Sequence, residues 1–374
     1  MQIALVHDYL NQYGGAERVL EVLHAMFPQA PIYTSIYDAE AMPNEYRSWD
    51  IRTSFMQKLP GWRKHFRKYF LLYPSAFEHF DLSAYDLVIS SSSAYAKGVI
   101  TKPGARHLCY CHTPMRFAWR TDDYVKREQI SGIFGAILPF FLTYLRLWDV
   151  QSSARVDRFI ANSRTVADRI GHFYKRPSTI ITPPVELQPF APQPAEDFYL
   201  AGGRLVPYKR LDLAIKACTK LGLPLVIFGD GRDRAELEKV AGPSVRFVGK
   251  VDDASLRSLY ARCRAYLMPG EEDAGIQPLE AMGAGRPVIA YKAGGALDSV
   301  IEGQTGRFFS QQTVEDLANA ILASQNNHYD PTAIRAHAEQ FARPAFEARI
   351  RAEIEMLLNE GSGRMKDERL EQRA

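Results

Sequence analysis

The sequence lacks the features that would place a protein in a membrane or outside a cell. No stretch reaches about 18 uninterrupted apolar residues, so none is expected to span a bilayer. The first residues, MQIALVHDYL, lack the basic start and long apolar run of a secretory signal. Only four cysteines occur in 374 residues, without the Cys-x-x-Cys spacing of a zinc or redox pair. We therefore expect a cytoplasmic protein in a reducing compartment.

Neither sign of charge is in large excess. Lysine and arginine number 46 and aspartate and glutamate 43, which gives a net charge of +3. A nucleic-acid-binding protein usually carries a much larger basic excess, so nucleic acid is not an expected partner. With 46% hydrophobic and 24% charged residues, the composition is that of a folded globular protein. At roughly 150 residues per domain, the length indicates two or three domains.

Short apolar runs alternate with segments of helical periodicity in both halves of the sequence. The expected buried strands are 3–6, 87–90, 107–111, 159–161, 200–203, 225–228, 245–248, 265–268 and 287–291. The expected helices include 16–27, 212–221, 233–240 and 254–262. This alternation predicts an α/β protein with two doubly wound parallel sheets, each in a Rossmann-like domain.

A cluster of five prolines between residues 183 and 194 separates the two halves. Such a cluster is typical of an interdomain linker. We therefore place an N-terminal domain at 1–190 and a C-terminal domain at 195–342. Residues 345–358 carry apolar side chains at helical spacing, and the charged residues 361–374 are expected to form a flexible tail.

The strongest local signal is the segment from Glu272 to Glu280, which surrounds a glycine at the start of an expected helix. The backbone N–H groups of Gly275 and Ile276 would point outward there, in a geometry that suits a phosphate or a sugar hydroxyl. The two carboxylates could bind hydroxyl groups of a ribose or a sugar. The alternative is that acidic residues simply stabilise the start of a helix.

A pair of cations follows the strand expected at 200–203. Arg204 and Lys209 would lie at the carboxyl edge of the sheet, where α/β proteins bind ligands. An arginine fork and a lysine point charge could hold a diphosphate at that edge. The alternative is two solvated surface cations, which is the commoner outcome for such residues.

Two weaker signals occur in the first half. Gly14 and Gly15 follow the first strand and would let a ligand approach the backbone at a helix start, although a tight loop is the simpler interpretation. The pair is not part of a Gly-x-Gly-x-x-Gly fingerprint. His112 follows the strand expected at 107–111 and could bond a polar ligand, but a lone histidine is more often structural.

Together these segments resemble the retaining glycosyltransferases of family 4, which have the two-domain GT-B fold. Glu272 and Glu280 match the Glu-x7-Glu motif of that family, and Gly203 with Arg204 and Lys209 matches its Gly-Arg-x4-Lys segment. Other similar segments are 159–163, 294–295 and 306. The resemblance implies two Rossmann-like domains facing across a cleft, with a final helix at 343–360 that packs back on the N-terminal domain.

Two N-terminal segments, 7–18 and 110–116, resemble a subgroup that acts in bacterial surface polysaccharide synthesis, often as mannosyltransferases. The resemblance covers nearly the whole chain. One departure is Ala274, where an aromatic residue is common in the family, and this departure concerns the packing of the donor sugar.

The resemblance implies a role for each matching residue of the second half. Arg204 and Lys209 would hold the donor diphosphate, and Glu280 would bind the nucleotide ribose. Glu272 would lie beside the transferred sugar, together with the N–H groups of Gly275 and Ile276. Recognition of the nucleotide base is expected from loop backbone near residues 229 and 249.

In the first half, the resemblance implies that Gly15 lets the backbone approach the donor phosphates. His112 would bond the donor sugar near the reacting carbon. Neither a cofactor nor a metal ion is expected, and no Asp-x-Asp cluster follows the strands named above.

Residues 56–73, MQKLPGWRKHFRKYFLLY, interleave basic and aromatic side chains and contain no acidic residue. This pattern predicts a helix that lies on an anionic membrane surface. Residues 133–145 add an apolar stretch that is broken by Pro139. The alternative is that both segments pack within the N-terminal domain.

The resemblance therefore implies a retaining, metal-independent glycosyltransferase of bacterial surface polysaccharide synthesis. The expected donor is a nucleotide diphosphate sugar, with GDP-mannose preferred, and the expected acceptor is a glycan or a polyprenyl-diphosphate-linked sugar. Two alternatives remain: a nucleotide-sugar epimerase of GT-B-like fold, and a membrane-surface scaffold without catalysis.

Overall fold

The computed structural model describes residues 1–119, 133–188, 190 and 192–371, which divide into two compact units. The N-terminal unit comprises residues 1–182 together with residues 347–371, and the C-terminal unit comprises Pro183–Phe346.

The sequence placed the domain boundary too late, at 190–195, because the prolines there resemble a linker. Residues 183–188 and 190 instead belong to the C-terminal unit. Val185 forms a parallel bridge with Ala342, and Leu187 and Phe190 are buried in the core of that unit.

A parallel sheet forms the centre of the N-terminal unit. Its strands are β1 (Ile3–His7), β2 (Ile32–Thr34), β3 (Ile51–Thr53), β4 (Leu87–Ser92), β5 (Arg106–Cys111), β6 (Arg158–Ala161) and β7 (Ser178–Ile180). They are arranged in the order β3-β2-β1-β4-β5-β6-β7, so the order reverses between β1 and β4. The four strands expected in this half are β1, β4, β5 and β6. The sequence missed β2, β3 and β7, because their residues IYT, IRT and STI mix apolar and polar side chains and do not form an apolar run.

Helices connect these strands. They are α1 (Gly15–Met26), α2 (Trp62–His65), α3 (Tyr73–Glu78), α4 (Arg116–Trp119), α5 (Ile133–Ser153) and α6 (Arg164–Tyr174), with 3-10 turns at Asn44–Ser48, Phe55–Lys58, Phe66–Tyr69 and Ala96–Gly98. Helix α1 buries Val19, Leu20 and Leu23 on one face, as its periodicity predicts.

A buried ion pair fixes α5 within the unit. Lys97 Nζ lies 2.6 Å from Asp149 Oδ1, and both side chains are almost fully buried. Trp119 Nε1 and the Tyr174 hydroxyl donate further hydrogen bonds to Asp149. These bonds satisfy the carboxylate, without which a buried charge would be strongly destabilising.

The C-terminal unit contains a second parallel sheet. Its strands are β8 (Tyr199–Gly202), β9 (Leu225–Phe228), β10 (Val245–Gly249), β11 (Tyr266–Met268), β12 (Val288–Tyr291) and β13 (Gly306–Phe309). The order is β10-β9-β8-β11-β12-β13, with the reversal between β8 and β11. Two such sheets confirm the predicted α/β class, and the five strands expected in this half are present within one residue at either end.

The helices of the C-terminal unit cover its sheet. They are α7 (Leu211–Leu221), α8 (Arg234–Lys239), α9 (Asp253–Arg262), α10 (Ile276–Gly283), α11 (Ala296–Ser299), α12 (Val314–Gln325) and α13 (Pro331–Ala338), with 3-10 turns at Pro207–Lys209 and Glu339–Phe341. Apolar side chains from α7 and α12 pack together with those of β8 and β9 in one buried cluster.

The last helix, α14 (Arg343–Glu371), is longer than the expected 343–360. It continues to Glu371, into the segment expected to be a flexible tail, because residues 364–371 are mostly good helix formers and no proline interrupts them. In the N-terminal unit, Ile350, Ile354 and Leu357 of α14 are buried, and Glu353 pairs with Arg158 at 2.9 Å.

The prediction of a single membrane-surface helix at 56–73 was wrong. Gly61 follows a proline and takes a left-handed φ of 62°, so the segment is divided into short helical pieces. Its aromatic side chains Trp62, Phe66 and Phe70 are half-buried against the core of the N-terminal unit. The cations 63, 64, 67 and 68 are exposed.

The apolar stretch 133–145 lies in α5, which continues through Pro139 rather than breaking there. Within the described part of the chain, no helix is both long and apolar enough to cross a membrane.

Candidate functional site

The site residues predicted in the second half lie at the carboxyl edge of the C-terminal sheet. Arg204 and Lys209 follow β8, Glu272 lies between β11 and α10, and Gly275, Ile276 and Glu280 lie at the start of α10. The strand order reverses between β8 and β11, and open α/β sheets bind ligands outside such a reversal.

Lys209 is the centre of a hydrogen-bonded cluster. Its Nζ lies 2.6 Å from Glu272 Oε1 and 2.8 Å from Gln277 Oε1. These two contacts use two of the three ammonium N–H donors and leave one for another acceptor. The Tyr266 hydroxyl donates to the same Gln277 oxygen at 3.1 Å. Burial, followed by the charge of Glu272, raises the pKa of Tyr266 well above its ordinary value, so this hydroxyl keeps its proton.

Gln277 was not among the predicted site residues, although it stands inside the 272–280 segment. A Cβ at Gly203 would lie only 2.6 Å from Gln277 Nε2, and Gly203 has a φ of +103°. Glycine at 203 therefore lets the chain after β8 pass close to the first turn of α10. A polar side chain in the first turn of a helix after a glycine loop is the sequence signal that could have identified Gln277.

The loop that carries Glu272 is held by Gly294 and Gly295. The Gly295 N–H donates to the Glu272 carbonyl at 2.8 Å. A Cβ at Gly294 would lie 2.2 Å from that same carbonyl oxygen. The similarity of 294–295 to the family thus has a local structural cause, since only glycine permits this close approach.

The remaining predicted residues of this unit differ in exposure. Arg204 is exposed and its Nη2 lies 3.4 Å from the Tyr208 hydroxyl, whereas Glu280 is buried.

The two loops expected to recognise a base are adjacent, because the Gly229 N–H donates to the Gly249 carbonyl at 2.7 Å.

The other predicted residues belong to the N-terminal unit. Gly15 begins α1 after β1, and His112 directly follows β5. The backbone carbonyl of His112 accepts a hydrogen bond from Asn162 Nδ2 at 3.0 Å. The Nε2 of the His112 ring lies 2.8 Å from Ser91 Oγ. Burial, with a smaller effect of His7, lowers the pKa of His112 to about 3. Its imidazole is therefore neutral at neutral pH.

Asp8, in the N-terminal segment 7–18, has a structural role. This buried carboxylate accepts hydrogen bonds from the backbone N–H groups of four successive residues, 93–96. It thereby fixes the loop after β4, which the sequence alone did not indicate. The four cysteines are buried and free, so Cys109 and Cys111 pack inside the unit.

Among the residues that the structure describes, no group of three or more His, Cys, Asp and Glu side chains is arranged to hold a metal ion. A cavity of about 240 Å³ in the C-terminal unit is lined by Phe198, Pro224 and Arg246. It lies beside the amino ends of β8, β9 and β10, at the opposite edge of the sheet from Lys209.

Two family models match adjacent parts of the chain. Residues 13–188 match Glycosyltransferase Family 4, and residues 186–341 match Glycosyl transferases group 1. A GDP-mannose-dependent alpha-mannosyltransferase from Mycolicibacterium smegmatis is 40% identical over 105 residues, 28% of this chain and 28% of that protein. The lipopolysaccharide core biosynthesis mannosyltransferase LpcC of Rhizobium leguminosarum bv. viciae is 29% identical over 218 residues, 50% of this chain and 59% of that protein.

The chain thus spans 28% of the length of the first relative and 59% of the length of the second. Among solved structures, Anabaena Alr3699/HepE in complex with UDP is similar over 96% of this chain and 100% of its own, with a TM-score of 0.71 and 18% identity. That similarity concerns the fold. Because the two family models together account for residues 13–341 and the fold agrees, the chain belongs to the GT-B glycosyltransferases of family 4.

Proposed function

We propose that this protein transfers a hexosyl group from a nucleotide diphosphate sugar to a hydroxyl group of a glycan or lipid-linked acceptor. The observation that carries the proposal is the ammonium of Lys209, held between Glu272 and Gln277 at the reversal of the C-terminal sheet. A fixed cation there can stabilise the negative charge that develops on a departing diphosphate. The family membership supports the same reaction class.

The proposed reaction retains the anomeric configuration. The bond between the anomeric carbon and the diphosphate oxygen breaks, and a bond to the acceptor oxygen forms on the same face of the sugar. The acceptor hydroxyl gives its proton to the departing phosphate oxygen, so no separate base is needed. Arg204, Lys209 and the N-terminal end of α10 offset the charge of the leaving nucleoside diphosphate.

In this proposal the other site residues orient the donor. Glu272 accepts hydrogen bonds from hydroxyl groups of the transferred sugar, and Glu280 accepts them from the ribose. The N–H groups of Gly275 and Ile276 face the donor. From the N-terminal unit, Gly15 allows the backbone to approach the phosphates.

We propose mannose from GDP-mannose as the donor, with a role in bacterial surface polysaccharide synthesis. The support is that both relatives described above are named as mannosyltransferases, one of them GDP-mannose-dependent. Because the similar Anabaena structure contains UDP, the test is a panel of GDP and UDP sugars. Stabilisation against heat and slow donor hydrolysis should be strongest with GDP-mannose, and preference for a UDP sugar would contradict this choice.

The proposed transfer needs no divalent cation, because fixed cations serve the leaving group. Turnover should therefore continue in EDTA. Loss of turnover in EDTA that Mg²⁺ or Mn²⁺ restores would contradict a metal-independent reaction.

Replacing either cation of the site tests the assignment directly. We expect Arg204→Ala and Lys209→Ala each to reduce kcat roughly 100- to 1000-fold, as removal of a preorganised transition-state donor does. Lys220→Ala is the matched control, since Lys220 is an exposed lysine of the same unit paired with Glu315 at 3.3 Å. Near-normal turnover by a folded Lys209→Ala protein would contradict the proposed function.

We further propose that the N-terminal unit contacts an anionic membrane that carries the acceptor. The cations 63, 64, 67 and 68 are exposed, and α5 also has exposed apolar side chains, among which Phe140 is 76% and Leu147 is 68% exposed. A ring contact of 6.4 Å between Phe70 and Phe141 connects the two segments. Basic side chains next to exposed apolar ones suit an anionic bilayer surface.

A further inference from the structure

A line of buried polar side chains leads from α1 to His112 within the N-terminal unit. Glu17 Oε1 lies 3.5 Å from His7 Nε2, and His7 Nδ1 lies 3.1 Å from Ser91 Oγ. Ser91 Oγ is in turn 2.8 Å from His112 Nε2. All four side chains are buried. The line crosses β1 and β4, the two strands between which the sheet order reverses.

The chemistry of these groups fixes the direction of the hydrogen bonds. A carboxylate can only accept a hydrogen bond, and a neutral imidazole carries one ring proton. The charge of Glu17 attracts the His7 proton to Nε2, even at the long separation of 3.5 Å, and leaves His7 Nδ1 as an acceptor. The Ser91 hydroxyl then donates to His7 Nδ1 and accepts from His112 Nε2.

We propose that Glu17, His7 and Ser91 are positioning residues that hold His112 in the tautomer with its proton on Nε2. In the role that the resemblance implies for His112, beside the donor sugar, the Nδ1 lone pair then accepts a hydrogen bond from a sugar hydroxyl group. Only this ligand assignment rests on the proposed function, since the tautomer is a property of the protein alone.

The other contacts of His112 leave its Nδ1 as the ring nitrogen that can bind a ligand. Asn162 bonds the backbone carbonyl of His112, and the Tyr110 ring packs edge-on against the imidazole with centroids 5.2 Å apart. Among the described residues, no hydrogen-bond partner is found for His112 Nδ1. The low pKa of His112 keeps this ring neutral, so the lone pair persists well below neutral pH.

This arrangement has a consequence for specificity. A lone pair attracts a hydroxyl, which can donate, and repels a carboxylate, which can only accept. The donor sugar facing His112 should therefore carry a hydroxyl at that position, and a sugar with a carboxylate there should be rejected.

The tautomer can be measured by ¹⁵N NMR of protein labelled at its histidines, with the His112 signals assigned from a His112→Gln variant. At pH 8 we expect wild-type His112 to show a protonated Nε2 and an unprotonated Nδ1. In Ser91→Ala the His112 Nε2 loses its hydrogen-bond acceptor. In Glu17→Gln no carboxylate sets the direction of the hydrogen bonds through His7 and Ser91. Both variants should show a mixture of tautomers, and Glu17→Gln serves if Ser91→Ala does not fold.

Ser90→Ala is the matched control. Ser90 precedes Ser91 on β4, and its Oγ lies 2.8 Å from Nε2 of another buried histidine, His107. The control removes an equivalent hydrogen bond and should leave the His112 spectrum unchanged. A wild-type His112 with its proton on Nδ1, or one tautomer shared by the wild type and both test variants, would overturn the proposal.

Monodeoxy analogues of the donor sugar test the ligand assignment. One analogue should lower kcat/KM about 10-fold for the wild type, as expected for a lost hydrogen bond to a buried group, but less than about threefold for Ser91→Ala. If every analogue affects the two proteins equally, His112 Nδ1 does not bind a sugar hydroxyl. If no sugar is transferred at all, the proposed function fails, and the spectra alone decide the positioning role.

Discussion

At the scale of single residues, burial sets the charge of two histidines in this protein. His107 is fully buried and bonded to Ser90, and burial lowers its pKa to about 4. The pKa of His112 is lowered to about 3 for the same reason. In the unfolded chain both groups would titrate near the ordinary value of about 6.5.

We therefore expect the free energy of unfolding to decrease as the pH falls from about 6.5 towards 4. Above this range both rings are neutral in both states. Within it the unfolded chain binds protons that the folded protein does not, which favours unfolding. For His107 alone the full effect is on the order of 3 kcal/mol.

Urea unfolding at pH 7, 6 and 5 measures this effect. His107→Gln removes one of the titrating groups while keeping a polar partner for Ser90, so its stability should depend less steeply on pH than that of the wild type. Identical pH dependence in the two proteins would contradict the assignment to His107.

At the scale of elements, the short helices around residues 62–69 separate their aromatic side chains from their charges. The half-buried rings stabilise the N-terminal unit, and the exposed cations face solvent. The alternative given by the sequence, packing within the unit, thus holds for the aromatic residues. A membrane contact would have to use the cations together with the exposed side chains of α5.

Reversing the charge at residues 63, 64, 67 and 68 to glutamate should abolish binding to anionic vesicles. Each cation contributes on the order of 1 kcal/mol near such a surface. Sedimentation with vesicles should also weaken as salt rises, because exposed charges are screened. Transfer to a short soluble acceptor should be nearly unchanged, whereas transfer to a lipid-linked acceptor should slow.

The matched control reverses four exposed cations of the C-terminal unit, at residues 216, 232, 239 and 250, which changes the net charge equally. The control variant should still sediment with anionic vesicles more strongly than the variant changed at residues 63, 64, 67 and 68. Equal sedimentation of the two folded variants would show that vesicle binding follows net charge and not this surface.

At the scale of the whole molecule, helix α14 begins in the C-terminal unit and continues as part of the N-terminal one. Truncation after Glu339 would remove the buried residues Ile350, Ile354 and Leu357. Loss of a single large buried side chain commonly costs about 2–5 kcal/mol. Since typical proteins are stable by only about 5–15 kcal/mol, we expect this truncation to unfold the N-terminal unit.

Truncation after Gly361 is the control, because it keeps every buried residue of α14 that the structure describes. Thermal unfolding should be close to that of the full chain for this variant and strongly destabilised for the shorter one. Equal melting temperatures for the two truncated proteins would contradict the structural role of α14.

The longer strands and the ligand-facing edges of the sheets can be located from the amino-acid sequence alone. Parallel strands buried on both faces are nearly continuous apolar runs, so β8, β9 and β12 were located within one residue at either end. Because ligands meet the carboxyl ends of such strands, the position of Arg204, Lys209 and Glu272 could also be predicted. These inferences need only local pattern and general topology.

Contacts between side chains that are distant in the sequence are visible in the folded structure alone. Ser91 and His112 are 21 residues apart, and Lys209 and Gln277 are 68 apart. Neither pairing has a local signal in the sequence. The pairing of Ser91 with His112 depends on strand register, which also sets Ser91 opposite His7. Strands β2, β3 and β7 and the boundary at Thr182 were missed for the same reason: neighbouring elements stabilise them, and local periodicity does not specify those contacts.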